Sequence, residues 1–367
     1  MGRRMKICLS AALLVWGPYY YLFSISTIQL QSIMETNDNN FKKASSYCTR
    51  EEIKQGRWTE VTLPEAHYIP PEGYRKGVHA SSVCPDFSPT AFNTYEWMPH
   101  NSSSNHFGSL LNRFGFGRCI FDPWNPNDFC ALGWKSIAIV GDSLSWEHYS
   151  SLVMSLGLHS DLNDQFVSRR LKKNIITMAC NNTLKLIYRR SDHLEYVPHV
   201  IREEQPQMLI LNKGSHPVND EIYKAGWQET INTLEEYEQN LTESGLPSLF
   251  LFRTTVPGHP QCEIYTAPVN NITQMEAVIA NKSSYQANML KFRWWEFKAQ
   301  NAIMENLLAA SGLRNYHILD AYDINIRRPD HHRPPDCLHN CFPSKTEVYH
   351  QLMLHFLKVN ANSSLHS

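Results

Sequence analysis

The period of hydrophobic and polar positions changes within residues 136–150, SIAIVGDSLSWEHYS. Ile137–Val140 is an unbroken apolar run, which is typical of a strand buried on both faces of a parallel sheet. Apolar residues then recur at the spacing of one helix face, which predicts a helix over Ser145–Leu156. Ser143 stands at the junction, where open α/β folds place ligands and helix N–H groups can stabilise an oxyanion. The pattern makes Ser143 a candidate nucleophile, although Gly-Asp-Ser can also be a plain turn with an N-cap.

Strand-like and helix-like segments continue to alternate to the end of the chain. From about Lys135 this pattern predicts an α/β fold, in which helices cover both faces of a parallel sheet. The predicted strands are Ser136–Val140, Leu184–Tyr188, Met208–Asn212, Ser248–Arg253 and His317–Ala321. The predicted helices are Ser145–Leu156, Asp220–Glu243, Tyr285–Ala310 and Thr346–Val359.

A second segment, Pro334–Cys341, supplies possible partners for Ser143. Asp336 and His339 are three residues apart, so a helical turn would place both side chains on one side. The carboxylate could then accept Nδ1–H of the imidazole and leave Nε2 to take a proton from the serine. The simpler alternative is a capping aspartate and a surface histidine. An α/β-hydrolase is disfavoured, because the motif Gly-x-Ser-x-Gly is missing at this serine.

The same region allows zinc binding as a rival interpretation. His331, His332, Cys337, His339 and Cys341 place ligand-type atoms close together in the sequence. However, the segment has no Cys-x-x-Cys pair with a histidine pair spaced as in zinc sites. Cysteines of an oxidising compartment also form disulfides more often than metal sites. We therefore predict no metal, and we expect disulfides of Cys337 and Cys341 to constrain the loop that holds His339.

The first 47 residues have the pattern of a membrane anchor followed by a stem. Residues 1–6 carry Arg3, Arg4 and Lys6, and the uncharged run that follows is long enough for a transmembrane helix over residues 7–29. We expect an uncleaved signal anchor with a cytosolic tail at 1–6 and a lumenal remainder; a cleaved signal peptide is the alternative. Residues 30–47 are polar and lack periodicity, which indicates a stem.

Residues 48–134 contain many prolines and aromatic residues but no long amphipathic pattern. We interpret this part as an irregular, disulfide-tied subdomain, with the catalytic domain at residues 135–367. Exposed aromatic side chains, with Trp58 and Trp97 as candidates, could stack on sugar rings. The alternative is that they build a small local core.

Composition limits the classes of function and the compartment. A formal net charge of −1 gives no electrostatic argument for nucleic acid binding, which would call for a basic face. We therefore expect no nucleic acid partner. Outside the apolar segment eight cysteines remain, an even number that permits four disulfides in an oxidising lumen. These are Cys48, Cys84, Cys119, Cys130, Cys180, Cys262, Cys337 and Cys341. Glycosylation sequons begin at Asn101, Asn181, Asn240, Asn271, Asn281 and Asn362, which also fits a secretory protein.

Several sequence blocks together indicate a family. They are Gly56-Arg57-Trp58, VGDSLS at 140–145, LILNKGSH at 209–216, FRTTVPGHPQC at 252–262 and DCLHNCFP at 336–343. From about Cys48 to Leu357 the chain resembles the GDSL/SGNH-like acyl-esterase (PC-esterase) family, and within it the plant trichome-birefringence-like polysaccharide O-acetyltransferases. It departs from the plant pattern at Lys213 and Ser215, where the block usually reads Asn-Thr-Gly-His-Trp, and at Val256, where Ser-Pro-x-His is usual.

The resemblance implies an SGNH-hydrolase-like three-layer α/β/α fold and roles for further residues. It implies that Asn212 is the oxyanion-hole asparagine; the plainer alternative is that it only forms a strand-ending turn. The backbone N–H of Ser143 would be a second donor and Gly214 a third. Arg253 could steady a carboxylate or an acyl carbonyl, and a structural salt bridge is an equal alternative.

The resulting hypothesis is a single-pass type II Golgi membrane protein that transfers acetyl groups in the lumen. Ser143, His339 and Asp336 would form a triad, and Ser143 would carry an acyl group from acetyl-CoA or another acetyl carrier to a glycan hydroxyl. No bound cofactor is expected. A carbohydrate acetyl-esterase with the same residues is the first alternative, and a non-catalytic glycan-binding relative is the second.

Overall fold

The computed structural model of the protein describes residues 46–60, 95–100, 119–158, 164–216, 219–244, 249–332, 335–340 and 347–363. The predicted tail, the predicted transmembrane segment 7–29 and most of the stem lie outside these residues, as do Cys84, Cys341 and Asn101. No helix within the described ranges is long and apolar enough to cross a membrane. Ser45–Ser367 makes up one compact unit.

A six-stranded, mostly parallel sheet carries the fold. Its strand order is β10-β9-β8-β5-β7-β6, and only β6 runs antiparallel to its neighbour. The chain is therefore an α/β protein, as predicted. The strands are β5 Ser136–Gly141, β6 Ile175–Ala179, β7 Leu184–Arg190, β8 Met208–Asn212, β9 Leu249–Arg253 and β10 Tyr316–Leu319.

Four short strands precede this sheet. Ser46–Tyr47 (β1) pairs in parallel with Cys119–Ile120 (β4), and the disulfide Cys48–Cys119 lies beside this pair. Arg57–Glu60 (β2) pairs antiparallel with Tyr95–Met98 (β3).

The helices follow the strands closely in sequence. Among the described residues they are α1 Arg50–Lys54, α2 Pro126–Ala131, α3 Ser143–Ser155, α4 Asp164–Leu171, α5 Val197–Glu204, α6 Asp220–Ser244, α7 Ile272–Ala280, α8 Phe297–Ala309, α9 Tyr322–Asn325 and α10 Glu347–Ser363. Short 3₁₀ turns occur at Cys262–Ile264, Lys282–Ser284, Leu290–Phe292, Trp294–Glu296 and Pro329–His331.

Two hydrophobic cores lie on opposite faces of the sheet. Along β5 the side chains alternate, so that Ile137 and Ile139 join one core while Ala138 and Val140 join the other. Helices α3 and α10 contribute to the first core, and α5, α6 and α8 contribute to the second. Because both faces of the sheet are covered, the central strands can be apolar throughout, and the arrangement is consistent with three α/β/α layers.

The described part of residues 48–134 does not form a core of its own. Cys48, Ile53, Trp97, Cys119 and Phe129 are all buried in the first core, together with residues of the sheet and of α3. The described part of this segment therefore packs against the α/β unit and is tied by the disulfide Cys48–Cys119.

The region predicted as one helix over Tyr285–Ala310 is divided. Arg293 has φ of 50°, which ends one 3₁₀ turn and begins the next, and regular helix starts only at Phe297. Trp294, Phe297, Met304 and Leu308 are buried at nearly helical spacing, and this spacing made the pattern look continuous.

Gly258 provides a test of the packing around the buried Trp294 ring. A Cβ at this position would lie 2.4 Å from two atoms of the Trp294 ring, which is 2% exposed and cannot move aside. Gly258→Ala should therefore lower the free energy of unfolding by about 1–3 kcal/mol. Gly312→Ala is the control, since its nearest neighbour is the flexible end of Glu235, and it should change stability by about 0.5 kcal/mol or less. Urea unfolding measures both, and equal effects would contradict the packing argument.

Candidate active site

The ends of three adjacent strands define the position of Ser143. Gly141 at the end of β5 pairs in register with Arg190 of β7 on one side and with Asn212 of β8 on the other. Ser143 is the first residue of α3, and Asp142 is its N-cap. The sequence therefore delivers a hydroxyl to the carboxyl edge of the sheet, as its pattern predicted.

The buried side chain of Asp142 holds the junction between β5 and α3 in place. Its carboxylate is fully buried and accepts hydrogen bonds from Leu144 N at 2.9 Å and from Ser215 N at 2.9 Å. A Cβ on Gly214 would lie 2.3 Å from one oxygen of this carboxylate, so glycine leaves the space that Asp142 needs. One buried carboxylate thus joins the start of α3 to the loop after β8.

His339 connects Ser143 to Asp336. Its Nε2 lies 2.7 Å from Ser143 Oγ, and its Nδ1 lies 2.7 Å from Asp336 Oδ2. The backbone N–H of His339 also donates to Asp336 Oδ1 at 3.3 Å. With Nδ1–H donated to the carboxylate, Nε2 is the acceptor for the serine hydroxyl. This geometry allows the imidazole to remove the hydroxyl proton.

The loop that carries these residues is attached to α3 by Glu147. The two carboxylate oxygens accept from the backbone N–H of Asn340 at 2.9 Å and from its side-chain amide at 3.0 Å. Glu147 is 5% exposed, so this charge-assisted pair is largely shielded from water. It places the residue next to His339 over the first turns of the helix.

A disulfide holds the other side of the loop, but its partner is not the one expected. Cys337 bonds to Cys262, and Cys341 lies outside the described residues. The third described disulfide joins Cys130 to Cys180. Cys262, Glu263 and Cys337 are the one group of metal-type side chains found close together among the described residues. Because both sulfurs are bonded to each other, they are not thiolate ligands.

A cavity of about 590 Å³ opens in front of Ser143. One part of the lining consists of Ser143, Asp336, His339 and their supports, and another part, which we call the 286–294 wall, comes from the segment 286–294. The lining side chains are Ser143, Trp146, Glu147, Arg190, Ser215, His216, Gln286, Asn288, Met289, Phe292, Trp294, Pro335, Asp336, Leu338, His339 and Asn340.

The Asn212 side chain does not face this cavity. Its amide nitrogen donates to Arg253 O at 2.9 Å and to Thr255 Oγ1 at 3.1 Å, and its oxygen accepts from Arg253 Nη2 at 3.0 Å. Both amide protons are therefore used within the core, and the predicted oxyanion role of Asn212 does not hold in this geometry. Gly214 is not among the cavity-lining residues either.

Arg253 is buried away from the cavity. It is 1% exposed, lies 5.0 Å above the Tyr349 ring and does not line the cavity. Burial lowers the pKa of its guanidinium. The plainer of the two predicted roles, a structural one, fits this position, although its partner is the Asn212 amide and not a carboxylate.

The two tryptophans proposed as sugar platforms also lie elsewhere. Trp97 is 3% exposed and donates from Nε1 to Ile53 O at 3.1 Å, and Trp58 donates to Ile324 O at 2.9 Å. Their rings contact each other edge to face, and neither lines the cavity. Their placement supports the local-core alternative.

Arg190 and His216 are among the polar residues of the cavity that sequence reasoning missed. Arg190 donates from Nε to Asp192, and its Nη2 lies 3.4 Å from His216 Nε2. Burial would lower the pKa of Arg190, but the Asp192 carboxylate outweighs it and raises the pKa. Arg190 ends β7 and His216 follows β8. This position could have indicated them, because residues at the carboxyl ends of neighbouring parallel strands share one site.

No model of a known protein family matches this chain, and a search of curated proteins finds no match either.

The pair Glu147 and Asn340 can be tested by exchanging donor and acceptor. Glu147→Gln leaves the Asn340 amide facing an NH₂ group and should lower the free energy of unfolding by about 1–3 kcal/mol. Adding Asn340→Asp restores complementary groups, since the glutamine can donate to the new carboxylate while still accepting from the backbone N–H. Chemical unfolding of the single and double variants measures the coupling. A double variant no more stable than Glu147→Gln would contradict the assigned contact.

Proposed function

We propose that the protein is a serine acyltransferase of the SGNH-hydrolase type that moves an acetyl group onto a carbohydrate hydroxyl in the lumen of the Golgi. The observation that carries the acyl-transfer part is the hydrogen-bonded chain from Ser143 Oγ through His339 to Asp336, with 2.7 Å at both contacts. The acetyl group, the carbohydrate and the compartment come from the sequence resemblance and from the predicted signal anchor.

The proposed reaction has two steps. His339 takes the proton of Ser143 while Oγ attacks the carbonyl carbon of the acyl donor, and Asp336 stabilises the imidazolium that forms. The donor leaves with the proton from His339. An acceptor hydroxyl then attacks the acyl-serine with His339 as base, which restores the serine.

Stabilisation of the oxyanion is assigned to groups at the start of α3. The backbone N–H of Ser143 lies at a helix N-terminus, where the helix dipole favours negative charge. Arg190 and His216 line the same cavity and supply the polar side chains that Asn212 does not. A single such donor is typically worth about 3 kcal/mol in the transition state.

Transfer is favoured over hydrolysis by the space in front of Ser143. A cavity of about 590 Å³ is much larger than an acetyl group needs, and its 286–294 wall carries amide and aromatic side chains at Gln286, Asn288 and Phe292. Such a wall can hold an acceptor whose hydroxyl competes with water, because positioned groups reach effective molarities of about 10⁵ M or more.

Labelling of Ser143 tests the acyl-enzyme. Incubation with p-nitrophenyl acetate should add one acetyl group to Ser143, detected by intact mass and peptide mapping. Ser143→Ala should not be labelled, and His339→Ala and Asp336→Asn should each slow labelling by about 10³-fold or more. Ser145→Ala, on the same helix and away from His339, is the control and should label normally. An adduct that persists in Ser143→Ala would refute the proposal.

Substitutions in the 286–294 wall provide the test of acetyl transfer. Phe292→Ala and Asn288→Ala should reduce acetyl transfer to a polysaccharide acceptor by about tenfold or more while changing hydrolysis of the small aryl acetate by less than about threefold, because only the acceptor needs this wall. Trp58→Phe, outside the cavity, is the control. The measurement follows acetylated product and free acetate in parallel. Equal losses of both activities would assign the wall a structural role, and acetate release that no acceptor suppresses would favour the esterase.

A further inference from the structure

Two buried histidines lie behind the loop that carries His339. His259 is fully buried and His332 is 3% exposed. His259 Nδ1 lies 2.6 Å from His332 Nε2, His259 Nε2 lies 2.9 Å from the Ile326 carbonyl oxygen, and His332 Nδ1 lies 3.3 Å from the carbonyl oxygen of His339. The two rings thus connect the chain near Ile326 to the backbone of His339.

The number of protons in this chain of contacts can be counted. Both ends are carbonyl oxygens, which only accept, so His259 Nε2 and His332 Nδ1 must each carry a proton. The short contact between the two rings needs one more proton, on either nitrogen. Three protons are therefore shared by two imidazoles, whereas two neutral imidazoles carry only two. All three contacts form together only when the pair holds one positive charge.

We propose that His259 and His332 share one extra proton and, through it, position the backbone of His339 for its reaction with Ser143. They are positioning residues, since neither ring is among the groups that line the cavity. The role assigned to His339 rests on the proposed function, but the extra proton rests on the three contacts alone. Solvent supplies the proton and takes it back, and its loss breaks the longest contact, which is the one to His339.

Other contacts explain why this position matters. The backbone N–H of His259 donates to the carbonyl of Cys337 at 2.8 Å, and Cys337 is bonded to Cys262. His332 also forms an isolated antiparallel bridge with Asn340. The loop is therefore held on one side by Glu147 and on the other by the histidine pair, and His339 lies between the two attachments.

Charged and titratable groups surround the pair on each neighbouring segment. Glu263 lies on the turn after His259, and Asp336 accepts from His339 on the loop itself. On the segment before His332, Arg328 is bonded to Asp330 and His331 Nε2 lies 3.6 Å from Asp330 Oδ2. The other charged group of that segment is Arg327, over the Trp97 ring. The test must therefore separate the pair from these groups and from the imidazole of His339.

The first experiment measures stability as a function of pH in a His339→Ala background. This background removes the titrating imidazole of residue 339 but keeps its backbone carbonyl, which is the group that His332 contacts. If the folded pair holds its one extra proton more tightly than a free imidazole does, the stabilisation is greatest just above about pH 6.5 and is lost at higher pH; below about pH 6.5 the unfolded chain protonates both imidazoles against one extra proton in the folded pair, and the stabilisation falls again. Adding His332→Gln should therefore lower the melting temperature by about 2–4 °C more at pH 7 than at pH 8.5.

The opposite sign overturns the proposal. A buried pair that is neutral when folded would gain stability as pH rises, so the effect of His332→Gln would then be larger at pH 8.5. An effect that is equal at both values would also overturn it. His193→Gln, at an exposed histidine, is the matched control and should show no pH-dependent difference.

The second experiment measures acylation of Ser143 by the aryl acetate from pH 6 to 8.5 with His339 intact. The ratio of the wild-type rate to the His332→Gln rate cancels the titration of His339 itself. It should be about tenfold or more at pH 6 and should approach 1 at pH 8.5. A constant ratio would show that His332 only supports the fold. If wild-type Ser143 is not acylated at any pH, the proposed function fails, and the melting experiment still decides the histidine pair.

A third measurement does not depend on any substitution at His332. Histidine-selective ¹⁵N labelling of the His339→Ala protein, in which both rings of the pair are intact, reports which ring nitrogens carry protons. At pH 7.5, where an exposed histidine is mostly neutral, one ring protonated on both nitrogens should remain. Loss of every such signal by pH 7.5 would show a neutral pair.

Discussion

The contact between His339 Nε2 and Ser143 Oγ joins residues 196 positions apart, and the arrangement of the site depends on it. Ser143 is placed by the sheet and α3, whereas His339 lies in the long segment 326–346 between α9 and α10. A shift of about 1 Å between these two parts would break a hydrogen bond of 2.7 Å. The supports of the loop therefore matter as much as the reacting groups. Glu147, the disulfide at Cys337 and the two buried histidines hold it from different sides.

The edge of the sheet is held by buried polar groups that take no direct part in the proposed chemistry. Asp142 joins α3 to the loop after β8, and Asn212 joins β8 to β9 through Arg253 and Thr255. Lys213 continues this pattern, since its ammonium group donates to the carbonyls of Ile222 and Tyr223, and burial lowers its pKa to about 8. Asp142, Asn212 and Lys213 each make two or more hydrogen bonds within the protein. Such contacts hold the backbone in place at this edge, which is what a preformed oxyanion site needs.

The parts of the fold that follow from local pattern could be predicted from the sequence. All five predicted strands are present within one or two residues of their expected bounds, because apolar runs between turn residues are a local signal. The antiparallel edge strand Ile175–Ala179 was missed, since its apolar residues Ile176 and Met178 are exposed and its pairing with β7 defines it. Division of the segment 285–310 depends on the left-handed backbone at Arg293, which hydrophobic period does not report.

The same distinction applies to the site. Ser143, Asp336 and His339 could be predicted because each lies in a motif whose spacing carries its chemistry. The role of Asn212 could not, because it depends on whether its amide protons are already used, and the groups that use them lie 41 and 43 residues further along the chain. Trp58 and Trp97 show the same limit, since the sequence does not tell whether an aromatic ring faces a cavity or a neighbouring ring.

Competition with water determines how the proposed chemistry would end. Ser143, His339 and the oxyanion donors serve transfer and hydrolysis equally, so the two reactions differ only in what reaches the acyl-serine. Asp336 is 34% exposed and His339 is 23% exposed at the side chain, so water has access to the site. Selectivity for an acceptor must then come from binding it close to the acyl group, since the site does not exclude solvent. The segment 286–294 lines the same cavity as Ser143 and supplies none of the groups of the proposed acylation step. Differences in this segment would therefore change the acceptor while leaving the acyl-enzyme step intact.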